Sequence, residues 1–284
     1  MGHIYLDYNA STPIDPAVAA AMRPYLEAAY GNPSSGHRAA SPAKAALEAA
    51  RGQVAALLGC APDEVVFTSG GSEANNLALK GVFFGRREQG QHIVTTRVEH
   101  PAILAPCRFL ERLGARVTYL PVDGTGRIDP DDLRAAITSA TILVSIMDAN
   151  NEVGTIQPIE ACGRIAHESG VLFHTDAAQS VGKIPTRVDE LGIDPLSVAG
   201  HKVFKSSAWG QSKRKYCHGW ASRWPGRSSS CMRITATGSP RGRCWHASTA
   251  VSRKPESRRR EPRLRKPNQR SVRPTPPSSA RRRT

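Results

Sequence analysis

Tryptophan is absent from the first 208 residues of this 284-residue chain, and acidic residues are nearly absent from the last 79. Cysteine is sparse. Cys60, Cys107 and Cys162 lie far apart, and Cys217, Cys231 and Cys244 follow at wide intervals without a CxxC pair. That spacing excludes a disulfide framework and a zinc finger in the first part, and no metal is expected. No apolar run approaches the roughly 18 residues that cross a bilayer, so no membrane partner is expected. The first residues lack a basic stretch followed by an apolar one. With few cysteines, this makes the cytoplasm the expected location.

The missing acids make the charge uneven. The whole chain carries +15. Up to Lys205 there are 18 Lys and Arg against 22 Asp and Glu; from Ser206 on there are 21 against 2. The basic character thus belongs to residues 206–284, which read as a segment separate from a domain over 1–205. Ser228 to Ser230, Arg258 to Arg260, Pro276-Pro277 and Arg281 to Arg283 punctuate it, with no sustained apolar period. Such a composition buries little apolar surface, so disorder is its expected state. A basic segment of this kind binds nucleic acid through phosphate contacts, and that is the one nucleic-acid reading the sequence offers.

What the first part does have is alternation. Pro16–Tyr30 reads as an amphipathic helix. Ser41 and Pro42 open an Ala-rich helix that stops at Gly59. Short β-branched runs then alternate with helical segments. Strands are expected at 65–67, 92–95, 116–120, 142–147 and 171–175, and helices at 73–82, 102–113, 130–138 and 159–169. This rhythm predicts an α/β domain with a mainly parallel sheet and helices on both faces.

Four stretches at predicted strand ends carry chemistry. Thr68-Ser69-Gly70-Gly71-Ser72-Glu73-Ala74-Asn75-Asn76 follows a strand and opens a helix. Its amides and the Ser72 hydroxyl suit a phosphate, although a plain capped turn has the same pattern. Val98-Glu99-His100-Pro101 offers an imidazole that either stacks on an aromatic ring or sits at the surface before a helix. Asp148 through Gly154 places paired asparagines where open α/β sheets put ligands; turn formation explains them equally. The fourth stretch is His174-Thr175-Asp176-Ala177-Ala178-Gln179 with Gly200-His201-Lys202. A carboxylate ending an apolar strand needs a cationic partner, such as a protonated pyridine nitrogen. A lysine returned to the same edge by one further helix and strand could form a Schiff base, although most lysines are simply solvated.

These stretches occur in a specific order, joined by Tyr5 through Pro13, Gly31 through Ser35, Asn150 through Pro158 and His174 through Lys183. Over residues 3–204 the chain resembles the cysteine desulfurases, a branch of the class V aminotransferases that depends on pyridoxal 5′-phosphate (PLP). The resemblance implies a PLP-dependent transferase fold type I large domain. It makes Lys202 the Schiff-base lysine and His100 the stacked, proton-moving imidazole. Asp176 would pair with the ring nitrogen. Asn151 and Gln179 would reach the ring's phenolic oxygen, and Gly71, Ser72 and His201 would hold the phosphate. The implied reaction takes sulfur from L-cysteine, leaving L-alanine and an enzyme persulfide. That sulfur passes to an acceptor protein for iron–sulfur clusters and thio-cofactors. The family normally works as a homodimer.

The resemblance stops after Lys205. Ala199 stands where many members carry a serine. The small C-terminal domain, the loop with the persulfide cysteine and the arginine for the substrate carboxylate have no recognisable counterpart, so an impaired enzyme is expected. Two expectations fit the break: a shifted reading frame, or a genuine disordered basic extension. Ala208-Trp209-Gly210-Gln211 can be encoded GCG TGG GGG CA. Preceded by G and read one base earlier, this gives the Gly-Val-Gly-Ala that the family would place there. The alternatives are a selenocysteine lyase, an aminotransferase, or a non-catalytic nucleic-acid binder acting through its basic tail.

Overall fold

The computed structural model describes residues 4–203 and the backbone of Trp220–Arg223. By internal contacts the chain divides into units 1–232 and 233–284, and everything described lies in the first.

Local chemistry sets most helix starts. In α1 (Pro16–Glu27) the Asp15 carboxylate accepts the Ala17 amide at 2.8 Å, with Pro16 pre-set for the first turn. Helix α2 (Ser41–Leu58) ends at Gly59, whose φ of 75° is the left-handed cap that glycine adopts without strain. The remaining helices are α3 (Gly71–Arg86), α4 (Pro101–Glu111), α5 (Pro130–Ala136), α6 (Ile159–Glu168) and the single turn α7 (Gly200–Val203). The strands are β1 (Val65–Thr68), β2 (His92–Thr96), β3 (Arg116–Leu120), β4 (Thr141–Ser145), β5 (Leu172–Asp176), β6 (Leu196–Ser197) and β7 (Trp220–Arg223).

They form one sheet in the order β1-β7-β6-β5-β4-β2-β3. The pairs β2/β3, β2/β4, β4/β5 and β5/β6 are parallel. Strand β7 runs antiparallel to both neighbours, so β1 and β6 point the same way. Every residue of β2 and β4 is buried, because helices cover both faces. Alternate side chains go to opposite cores. Ile93 and Leu143 pack with α3 and α4, through Leu79, Phe83, Ile103 and Leu110. Val94, Val144 and Phe173 pack with α5 and α6, through Leu133, Ile159 and Ile165. Phe173 is fully buried and opposes Val144 across β4/β5. Phe173→Ala is expected to lower the unfolding free energy by about 3–5 kcal/mol, read from urea unfolding of the full chain.

Two expectations are corrected here. Between Asp176 and Lys202 there is no further helix; irregular chain and the two-residue β6 make the return. Trp220–Arg223, in the segment expected to be disordered, form a strand. The facing edges of β1 and β6 present backbone donors and acceptors, and an edge recruits a strand through its backbone rather than its side-chain pattern. The rest of the basic segment, on which the frame-shift and nucleic-acid expectations fall, lies outside the described residues.

Candidate functional site

Strands β1, β2, β4, β5 and β6 run the same way, so the chain leaving each reaches one edge of the sheet. That edge collects the Gly71-Ser72 turn, the Val98–Pro101 turn, the 146–154 loop, the 177–179 turn and α7. All four stretches singled out in the sequence meet there.

Asp176 ends β5 and is 6% exposed. Its Oδ2 accepts from Asn75 Nδ2 at 2.7 Å, and its Oδ1 accepts from the Ala178 amide at 3.0 Å. Asn75, itself buried, thus ties α3 to the end of β5. The start of α3 also abuts the chain before α7: a Cβ on Gly71 would lie 3.5 Å from the Ala199 Cβ. Gly71 and Ser72 therefore begin a 16-residue helix beside the turn that carries His201 and Lys202. The first-turn amides of such a helix have no acceptor within it. The Lys202 amide donates to Ala199 O at 2.9 Å, which closes α7. Among the described residues, no hydrogen bond or ion pair holds the Lys202 ammonium.

His100 caps α4. Its Nδ1 accepts the Ala102 amide at 3.1 Å, so the proton of the neutral ring sits on Nε2. Asn150 is a turn former: its Oδ1 accepts the amides of Glu152 and Val153 at 2.8 and 3.0 Å, and its Nδ2 donates to Val98 O at 3.0 Å. Asn151 is partly buried beside it. Its carbonyl accepts from Asn9 Nδ2 at 3.2 Å. Gln179 donates from Nε2 to Asn9 O at 3.1 Å and accepts from Lys183 Nζ at 2.9 Å. Thr12 Oγ1 donates to His201 O at 2.7 Å. The irregular N-terminal segment thus fastens three of the predicted residues.

Burial shapes the electrostatics. His174 is fully buried between Ser145 Oγ at 2.9 Å and Ser197 Oγ at 3.0 Å, and burial pushes its pKa down to about 3. The unfolded chain binds that proton near the ordinary 6.5, so stability falls as pH drops from 6.5 towards 3. Urea unfolding at pH 6.5 and pH 5 is expected to show this as a loss of wild-type stability relative to His174→Gln, since the variant shares every other titrating group. Burial also raises the Asp148 carboxyl, with Ser180 opposing the shift. Asn75 and Thr12 received no role from sequence alone. Asn75 lies three residues after Ser72, and helix spacing would have put both on one face. Thr12 lies in the Tyr5–Pro13 stretch that carries the resemblance, but nothing in that stretch points to His201.

Residues 4–206 match the aminotransferase class-V family. This chain belongs to that family. The class-V match extends to close relatives. Cysteine desulfurase IscS of Dictyoglomus turgidum is 53% identical over 201 residues, which is 71% of this chain and 51% of that protein. The human cysteine desulfurase is 50% identical over 202 residues, covering 71% of this chain and 44% of that one. A solved structure described as SspA in complex with cysteine is 42% identical with a TM-score of 0.71, covering 78% of this chain and 60% of that one. A NifS-like protein reaches a TM-score of 0.74 at 35% identity, over 83% and 62% of the two chains. The sheet order and its helices are thus the fold type I arrangement of PLP-dependent enzymes, as expected. The chain spans about half the length of the curated relatives it matches. Among the described residues no cluster of three metal-ligating side chains occurs, and no helix is long and apolar enough to cross a membrane.

Proposed function

We propose that this chain binds pyridoxal 5′-phosphate at the strand-end edge and is a cysteine desulfurase-type protein with L-cysteine as its substrate. The observation that carries this is the convergence of three groups that match the three reactive parts of the cofactor. The Lys202 ammonium, unpartnered among the described residues, suits the aldehyde. Asp176 holds two of the roughly four hydrogen bonds that a carboxylate can accept. Capacity remains for the ring nitrogen, and the buried charge would keep that nitrogen protonated. The opening amides of α3, with Ser72 and His201, suit the phosphate. When bound, the ring supplies an electron sink for charge developing on the substrate.

The chain's own residues do the rest. His100 presents Nε2 for stacking and proton transfer, since Nδ1 is occupied by the Ala102 amide. Asn151 and Gln179 would face the ring oxygen, with Asn9 holding the loop and Gln179 in place. Similarity to a structure described as bound to cysteine, at 42% identity, supports the substrate.

The same reading covers assembly. Ile4, Leu6, Ile14, Leu26, Tyr30 and Val153 are all more than half exposed, and Ile156 is half exposed. An exposed apolar surface of this kind fits a second copy of the chain. The sulfur-acceptor protein and a cytoplasmic location belong to the proposal as well. Sulfur release is expected to be slow, because the segment after Lys205 has no recognisable persulfide loop. The test is purified full chain with PLP and L-cysteine. A visible absorbance change on adding cysteine, with little alanine formed, is the expected result. No spectral response to PLP in folded protein would overturn the reading. Brisk alanine release would remove the expected impairment.

A further inference from the structure

Glu99 is 5% exposed and has no place in the reaction as described so far. It lies in the turn between β2 and α4, one residue before His100. Its Oε1 accepts from the Met147 amide at 2.8 Å and from Thr96 Oγ1 at 3.0 Å. The first bond crosses to the chain leaving β4; the second closes the turn on itself. Alongside, Asn150 Nδ2 donates to Val98 O at 3.0 Å and approaches Met147 Sδ at 3.4 Å. Two crossing bonds therefore lock the 97–100 turn to the 147–150 loop, the loop that leads to Asn151.

We infer that Glu99 is a positioning residue: its carboxyl fixes the turn bearing His100 against the end of β4 and so sets where the imidazole stands. The inference rests on the PLP reading for what His100 then faces, but not for the lock itself. Three features favour a neutral carboxyl in this role. Oε2 is buried without a partner among the described residues. Asp176 of β5 and Cys107 of α4 are the titratable groups that interact with it, and neither is cationic. Burial pushes its pKa up to about 8, with Asp176 adding to the rise and the Met147 and Thr96 bonds opposing it. A protonated Oε2 leaves Oε1 free to accept both bonds, as a glutamine amide would.

The test compares wild type, Glu99→Gln, Glu99→Ala and Thr96→Val, all in the full chain. The first readout is the NMR signal of the His100 ring without cofactor. It should stay near the wild-type position in Glu99→Gln and move in Glu99→Ala. The second is PLP affinity, expected to weaken about tenfold in Glu99→Ala and less than threefold in Glu99→Gln, since misplacing a positioned group by an ångström has effects of that order or larger. The third is a pH profile. The folded chain keeps a proton on Glu99 that the unfolded chain releases near 4.5, so stability falls as pH rises from 4.5 through about 8. Glu99→Gln should lose that part of the slope.

An unmoved His100 signal together with unchanged PLP affinity in Glu99→Ala would overturn the inference. If that variant does not fold, Thr96→Val decides, because it removes one bond to Oε1 and keeps the acid buried. A His100 signal unmoved there is also fatal. Should wild type itself fail to bind PLP, the cofactor reading falls, while the His100 signal still judges Glu99.

Discussion

Lys202→Ala is expected to abolish retention of PLP through gel filtration, while wild type elutes with the cofactor attached. The reason is covalent. The other contacts proposed at this edge are non-covalent and exchange on dilution, whereas a lysine amine joined to the aldehyde does not leave with the solvent. Lys202 is suited to this by its place on α7, three residues after Ala199, which abuts Gly71 at the start of α3. Lys80 is the control. Its ammonium sits 4.5 Å from the centroid of the Phe109 ring, where α3 packs on α4, away from the strand-end edge. Lys80→Ala should retain the cofactor as wild type does. Equal loss in both variants would mean that PLP attaches to surface lysines without a site. Undiminished retention in Lys202→Ala would place the covalent attachment elsewhere.

Asp176→Ala is expected to weaken PLP binding by about 10- to 100-fold, the size of a lost charge-assisted hydrogen bond of roughly 1.5–3 kcal/mol. The effect has two parts. The ring nitrogen loses the buried carboxylate that keeps it protonated, and Asn75 loses its acceptor, which loosens α3 from the end of β5. An Asn75 amide left unsatisfied in the core costs about 1–3 kcal/mol of stability. Asp176→Asn separates the parts, because its amide oxygen still accepts from Asn75 while the charge is gone. Equilibrium titration by absorbance, with urea unfolding alongside, should find Asp176→Asn close to wild type in stability and close to Asp176→Ala in affinity. If Asp176→Asn binds as wild type does, the buried charge is not what recognises the ring.

Much of the candidate site was legible before the fold, for a physical reason. Chemistry at a strand end leaves short local signatures: a glycine turn opening a helix, a carboxylate ending an apolar run, a histidine before a proline. Asp176, His100 and Gly71-Ser72 each carry one. Asn75, Thr12 and Glu99 do not, because their partners Asp176, His201 and Met147 lie 48 to 189 residues away. Gln179 was placed by resemblance. Its bond to Asn9 ties the irregular N-terminal segment to the candidate site, a contact that the Tyr5–Pro13 stretch carrying the resemblance did not itself specify.

Alternating helix and strand signals, buried apolar runs and proline or glycine punctuation determined the α/β class, the helix borders at Pro16, Pro101, Pro130 and Gly59, and the strands β1 to β5. These depend on side-chain periodicity and backbone stereochemistry, which act over a few residues. The tertiary structure alone decided the rest. It set the order in which strands pair, the antiparallel placement of Trp220–Arg223 between β1 and β6, and the meeting of Glu99 with the end of β4. Backbone pairing and buried polar contacts are chosen by what remains unsatisfied once the layers have packed, and a linear pattern holds no record of that competition.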